Sequence, residues 1–236
     1  MTGRIHSFQS MGAVDGPGLR CVVFCQGCPA RCAYCHNPDT WDFAGGEEVT
    51  PEALVQKILR YRAYIRNGGV TVTGGEPLMQ PDFVAELFRR LHEAGIHTAL
   101  DTSGIGEEAG IEKVLAHTDL VLADVKFLSD EAYREYCGIS FRQVLAFLDR
   151  VRERKIPMWV RHVVVPGLND RAEDVRTLLD LLSPYPNLQK IELLPFRKLC
   201  LEKYDALGIP FPLRDTPAMT EAGIAALAAE LPEHLR

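Results

Sequence analysis

Val70-Thr71-Val72-Thr73 runs straight into Gly74-Gly75-Glu76-Pro77, and a helical pattern from about Pro81 to Ala94 separates it from a second short run, His97-Thr98-Ala99-Leu100. The first run is built of β-branched residues alone, the composition of a short buried strand. Gly95 follows the helical stretch where a helix stop is expected. Strand, helix and strand in this order make a βαβ unit, which brings its two strands parallel through a right-handed crossover.

The same alternation extends in both directions. Upstream, Leu19–Phe24 reads as a strand. Thr50 as N-cap before Pro51 starts a helix, and Leu54, Ile58, Tyr61 and Ile65 keep helical spacing as far as Asn67-Gly68-Gly69. The first eighteen residues, rich in Gly and Ser and ending in Val14-Asp15-Gly16-Pro17-Gly18, read as a loop. Downstream, strands are expected at Leu120–Lys126, Met158–Val165 and Lys190–Leu194. Helices are expected at 107–117, 130–136, 140–154, 171–182 and 218–231. Six strands fall short of the eight that close a full barrel, so the expected fold is α/β, a partial (β/α)6 barrel, with a doubly wound open sheet as the alternative. One domain is expected over residues 1–236, with its core at about 19–196, an N-terminal loop at 1–18 and a C-terminal helical segment at about 197–236.

In either architecture function gathers at the carboxyl ends of the strands. Four polar clusters fall there: Gly74-Gly75-Glu76, Asp101-Thr102, Asp124-Val125-Lys126, and a cysteine loop shortly after the first strand. Composition bounds what they can do. The chain is 47% hydrophobic and 25% charged, with a net charge of −6 from scattered residues, which argues against a nucleic-acid surface as its main business. No apolar run reaches the ~18 residues of a membrane helix. Met1–Phe8 lacks an apolar signal core, so a cytoplasmic location is expected. Seven cysteines, an odd number without a secretion signal, point to metal or redox chemistry rather than disulfides.

Three of the seven form Cys28-x3-Cys32-x2-Cys35, followed by His36-Asn37-Pro38. Thiolates suit zinc, copper and iron–sulfur centres. A closed zinc site needs a fourth ligand, for which the candidates are His36, Cys21, Cys25, Cys137 and Cys200. His36 adjoins Cys35 awkwardly, and Cys21 and Cys25 fall in or beside a strand, where a free cysteine serves as an apolar filler. In a [4Fe–4S] cubane, three cysteines instead leave one iron open to an outside ligand.

The cysteine spacing after a first strand is the signature of the radical S-adenosylmethionine superfamily, and further segments resemble its pyruvate formate-lyase activating enzymes. These are Gly3–Phe8, Val14–Gly18, Tyr34–Trp41, Gly74-Gly75-Glu76, Val163–Gly167 and Ile191–Pro195. The resemblance implies a partial (β/α)6 barrel. It implies that Cys28, Cys32 and Cys35 hold three irons of a [4Fe–4S] cluster whose fourth iron binds S-adenosylmethionine. The family uses the reduced cluster to cleave the sulfonium, and the 5′-deoxyadenosyl radical takes hydrogen from a glycine Cα of pyruvate formate-lyase. Carried over by position, Gly74, Gly75 and Glu76 meet the methionine part of the cofactor, Tyr34 and His36 touch its adenine side on either side of Cys35, itself a cofactor contact, and Asp124, Val125 and Lys126 reach its ribose and carboxylate. A monovalent cation, Na or K, is implied beside that carboxylate, with Asp101, Thr102, Leu122 and Asp124 as ligands. Asp15 would meet the incoming glycine loop of the partner. The family pattern has an aromatic and then His after Leu193-Leu194-Pro195, where this chain has Phe196 and Arg197. A permanently charged guanidinium cannot replace a neutral imidazole, so Arg197 would contact the cofactor differently or face the partner. A flavodoxin or ferredoxin-type electron donor and a monomeric state are expected, with neither nucleic acid nor membrane as partner. Alternatives are an activase of another glycyl-radical enzyme, including anaerobic ribonucleotide reductase, and a non-catalytic zinc or iron–sulfur module. Residues 36–69 lack cysteine, so the ferredoxin-like insert of many related activases is missing.

Overall fold

A computed structural model describes residues 1–236. The chain divides into two compact units, residues 1–29 with 40–123, and residues 30–39 with 124–236.

The first unit holds strands β1 (Gly3–Gly12), β2 (Arg20–Cys25), β3 (Glu47–Val49), β4 (Gly69–Gly74), β5 (Thr98–Thr102) and β6 (Leu120–Asp124), the last closing at the unit boundary. Its helices are α1 (Pro51–Leu59), α2 (Pro81–Glu93) and α3 (Glu108–Leu115). The strands lie in the order β3-β1-β2-β4-β5-β6. From β2 to β6 neighbours are parallel, with Val23 opposite Val72 and Val72 opposite Leu100. Val22, Val23, Val70, Val72, Leu100 and Val121 are fully buried, as strands covered on both faces require. Leu87, Phe88 and Leu91 of α2 bury at helical spacing beside them. Thr50 caps α1 by accepting from Ala53 N–H, with Pro51 in the first turn.

Two expectations for this unit are corrected. Residues 1–18 are not a loop throughout, because β1 runs antiparallel along β2 and covers its edge, with β3 outside it. The alternation that would have marked β1 is broken by register shifts between Ile5 and Ser7 and between Gln9 and Gly12. The helix expected as far as Ile65 ends at Leu59. Beyond it, Tyr61, Arg62 and Tyr64 donate to carbonyls three residues back. This tighter winding still buries Ile65, so the apolar spacing could not tell it from α-helix.

The second unit holds α4 (Asp130–Cys137), α5 (Phe141–Glu153), β7 (Met158–Val164), α6 (Ala172–Leu182), β8 (Leu188–Pro195), α7 (Leu201–Leu207) and α8 (Glu221–Ala228). β7 and β8 pair in parallel, with Val160 opposite Ile191. Phe147, Leu148 and Val151 of α5 are buried, as are Met158, Val160 and Val164 of β7. The C-terminal helix is shorter than expected, Glu221–Ala228 within 218–231. With β2, β4, β5, β6, β7 and β8, the six strands expected of a βα progression are present; β1 and β3 are added at one edge.

Candidate cofactor site

In the first unit the cysteine loop is tied at its neck. Gly27 N–H donates to Thr40 O at 2.8 Å and Cys28 N–H to Trp41 O at 3.4 Å. The Gly-Gly-Glu segment runs along the same neck: Gly75 N–H donates to Cys25 O (2.8 Å) and Glu76 N–H to Gly27 O (2.9 Å). The contact demands glycine. A Cβ on Gly74 would lie 2.5 Å from Cys25 N, and one on Gly75 would lie 2.3 Å from Gly27 O, while Gly74 also has φ +108°. Gly74 and Gly75 therefore have a packing reason of their own, and it brings their backbone directly beside the residues leading into Cys28.

Glu76 turns inward and is 1% exposed. Its Oε1 accepts from Leu78 N–H (3.1 Å) and the Thr102 hydroxyl (2.6 Å); its Oε2 accepts from Ser103 N–H (2.9 Å) and the Ser103 hydroxyl. Burial pushes the Glu76 carboxyl up, and these bonds oppose it. Charge-assisted hydrogen bonds are worth about 1.5–3 kcal/mol each, so four of them offset the several kcal/mol that desolvating a carboxylate costs. Thr102 also accepts from Gly104 N–H (2.9 Å), which closes the turn after β5. Asp101 accepts from the Thr73 hydroxyl at 2.9 Å, and its register partner on β6 is Leu122. Asp15 is fixed through its carbonyl, which accepts from Thr71 Oγ1 at 2.6 Å. Thr71 Oγ1 in turn accepts from Nε of the fully buried Arg20 at 2.6 Å, and Arg20 also holds the carbonyls of Pro17, Gly68 and Val70.

In the second unit the C-terminal turn of α4 grips the cysteine loop around Cys32. Arg31 N–H donates to Cys137 O (2.8 Å) and Ala33 N–H to Tyr136 O (2.7 Å), carbonyls that a helix end leaves unpaired. Gly138, with φ +69°, turns the chain away and leaves these carbonyls accessible. The thiols of Cys137 and Cys32 interact. That interaction first, and the charge of Lys126, outweigh burial and lower the Cys32 thiol, while the Cys137 thiol is raised. Tyr34 is buried with its hydroxyl 3.5 Å from Lys126 O, and its ring lies 5.9 Å from that of Phe127. Lys126 Nζ pairs with Asp124 Oδ2 at 2.7 Å. Burial alone would lower the Lys126 pKa, but Asp124 and its neighbours raise it, so the ammonium is retained.

His36 donates through Nε2 to the Arg197 carbonyl at 2.9 Å. Lys203 Nζ bridges Asn37 Oδ1 (2.9 Å) and Asp39 (2.9 Å), which fixes the outgoing side of the loop. The side chain of Arg197 is 41% exposed and approaches Glu221 at 3.9 Å.

Within the first unit the structure thus brings Gly74–Glu76 against both the cysteine-loop neck and Thr102–Ser103. Within the second it brings Cys32 and Tyr34 to α4 and Lys126. Cys21, Cys25 and Cys200 are buried fillers. Cys137 is more than that, through its contact with Cys32. Arg20, Ser103, Cys137 and Lys203 were not singled out for these roles from the sequence. The available signal was a charged residue opening the apolar run Arg20–Cys25.

The donor set fits an iron–sulfur cluster. Three thiols lie within eight residues of a loop anchored at both ends, and the surroundings of Cys32 favour its thiolate. No three or more His, Cys, Asp or Glu side chains close on a single ion; the three cysteines of a cubane each hold a different iron and have no need to.

Comparison with known proteins places this arrangement. Residues 22–182 match the Radical SAM superfamily, a span that runs through both units. The chain is 48% identical over 219 residues to a pyruvate formate-lyase-activating enzyme of Clostridium pasteurianum, covering 92% of each chain. It is 40% identical over 235 residues to the enzyme of that name from Staphylococcus aureus strain USA300, covering 96% of this chain and 94% of the relative. Among solved structures it resembles a radical SAM methyltransferase from Sphaerobacter thermophilus, with a TM-score of 0.66, 18% identity, and coverage of 90% of this chain and 63% of that one. The latter likeness concerns the fold alone, which is the α/β, partial (β/α)6 class. The chain belongs to the radical SAM superfamily and, within it, to the family of pyruvate formate-lyase-activating enzymes.

Proposed function

We propose that this chain installs the glycyl radical of pyruvate formate-lyase, with both units acting as one catalytic domain over residues 1–236. The observation that carries the reading is the pair of backbone bonds joining Gly75-Glu76 to Cys25 and Gly27. They bind the segment assigned to the cofactor's methionine part to the loop assigned to the cluster. When bound, a reduced [4Fe–4S] cluster and S-adenosylmethionine supply one electron and, from the cleaved sulfonium, a radical able to take hydrogen from a glycine Cα.

The residues of this chain bind, orient and shield. Cys28, Cys32 and Cys35 hold three irons. Gly74 and Gly75 offer close backbone approach, and Glu76 shapes that surface by holding Thr102 and Ser103. Asp124, Val125 and Lys126 meet the ribose and carboxylate, while Tyr34 and His36 flank the adenine. Arg197 supports His36 through its carbonyl, and its guanidinium is left at the surface. A monovalent cation at Asp101, Thr102, Leu122 and Asp124 belongs to the same reading. So does Asp15 as a contact for the partner's glycine loop, on a segment held by Arg20 and Thr71. A flavodoxin or ferredoxin-type donor, a monomeric state and a cytoplasmic location complete it. No helix is long and apolar enough to cross a membrane.

The test is electron paramagnetic resonance on anaerobic, reduced protein mixed with S-adenosylmethionine and pyruvate formate-lyase. A glycyl radical is expected. Its absence with a fully loaded cluster, or its appearance only with another glycyl-radical enzyme such as anaerobic ribonucleotide reductase, would overturn the assignment.

A further inference from the structure

Val125 and Lys126 lie just past the end of β6, yet every polar atom of their backbone has a protein partner. Val125 N–H donates to Arg161 O at 3.0 Å, and Lys126 N–H to Tyr133 Oη at 2.8 Å. Lys126 O accepts from Tyr34 Oη at 3.5 Å. The fourth atom, Val125 O, lies 2.6 Å from Nδ1 of His162. A side chain therefore supplies the donor that a continuing strand would have offered.

His162 is an unusual choice for its position. It sits in β7 among Val160, Val163 and Val164 and is 2% exposed. A buried imidazole is costly unless both nitrogens are paired. A carbonyl only accepts, so Nδ1 carries the hydrogen and a neutral ring must accept at Nε2. Asn169 Nδ2 meets Nε2 at 3.0 Å. The amide orientation of Asn169 is set independently, because Nδ2 also donates to Val163 O (2.9 Å) and Oδ1 accepts from Val165 N–H (2.7 Å). Burial lowers the His162 pKa, in keeping with a neutral ring. The chain Asn169–His162–Val125 thus has one proton arrangement and one geometry.

We propose that His162 is a positioning residue: locked by Asn169, it holds the Val125 carbonyl and with it the strand end Asp124–Lys126 in the conformation that receives S-adenosylmethionine. This rests on the assignment of Asp124–Lys126 to the cofactor made above. A core histidine that merely filled space would be replaceable by an apolar ring of similar size. A positioning histidine would not be, but a side chain with an N–H in reach of Val125 would partly replace it.

The experiment compares His162→Phe, His162→Gln and Lys126→Ala. Amide hydrogen exchange of Val125 and Lys126 is measured in cluster-free protein. The dissociation constant of S-adenosylmethionine is measured by equilibrium dialysis against protein with the oxidised cluster, at equal iron content. Loss of one or two hydrogen bonds corresponds to about a five- to tenfold change. His162→Phe is expected to speed exchange and weaken cofactor binding by about that factor, with His162→Gln recovering most of both. Unchanged binding in His162→Phe, with binding lost in Lys126→Ala, overturns the positioning role alone. Unchanged binding in both overturns the cofactor assignment and the proposal with it. If His162→Phe does not fold, Asn169→Ala is read by the same two measurements: faster exchange with weaker binding supports the role, and unchanged values overturn it.

Discussion

The Thr102 hydroxyl donates to Glu76 Oε1 at 2.6 Å, and this bond makes Glu76 an internal bracket. The carboxylate joins the turn after β4 to the turn after β5, and all four of its donors come from the protein. Glu76→Ala strands those donors and is expected to cost about 3 kcal/mol or more, because breaking a buried charged network leaves its partners unpaired. Glu76→Gln, which turns an N–H toward at least one existing donor, should lose about 1–3 kcal/mol. Denaturant midpoints of the cluster-free protein measure both. A Glu76 with a spare carboxylate would make the Gln variant neutral.

Cys28→Ala, Cys32→Ala and Cys35→Ala should each abolish the glycyl radical and lower bound iron. Cys200→Ala should leave both nearly unchanged, since its side chain is buried away from solvent. Cys137→Ala is expected to keep its iron but to shift the cluster to a lower reduction potential. It removes the thiol that interacts with Cys32, and hydrogen bonds to cluster sulfurs favour the more negative, reduced form. Redox titration followed by electron paramagnetic resonance would show the shift; an unchanged potential would refute the contact in the loaded protein.

Arg20 spans Thr71 Oγ1 and the carbonyls of Pro17, Gly68 and Val70 with one planar fork. Lysine offers a single point of donation and cannot reproduce that geometry. Arg20→Lys should therefore destabilise the fold by about 3 kcal/mol. It should also speed proteolysis within residues 12–18, whose Asp15 and Pro17 carbonyls depend on it. Equal cleavage rates in the two proteins would show that the segment is held by other means.

Asp119 accepts from Thr98 N–H at 2.8 Å and from His92 Nε2 at 3.0 Å. Burial would raise its pKa, but the Thr98 bond and the charge of His92 outweigh it, and the net shift is downward. A carboxylate depressed in the folded state stabilises it above the unfolded value, near ~3.9, and that contribution disappears as pH falls through the folded value. Asp119→Asn should cost about 1 kcal/mol at neutral pH, the modest size reflecting its partial exposure. The gap between variant and parent should close as pH falls through the depressed folded value. Urea unfolding at several pH values tests this; a gap that widens in acid would reverse the sign.

Residue spacing alone was enough for the βα progression, because strand and helix periods differ and Gly, Pro and Thr punctuate them. Gly69–Gly74, Pro81–Glu93 and Thr98–Thr102 fall within two residues of where the pattern put them. The cysteine loop stood out because its three thiols lie within eight contiguous residues. β1 did not, since two register shifts erase the alternation that identifies a strand. The partners of Glu76, Lys126 and Cys32 were not legible either. Thr102, Tyr133 and Cys137 lie 26, 7 and 105 residues away along the chain. A hydrogen bond depends on atoms meeting at about 3 Å, and separation along the chain carries no record of that distance. Local chemistry could therefore name the cysteine loop and its strand-end companions. Packing alone turned Glu76 inward, seated His162 under Val125 and set Cys137 against Cys32.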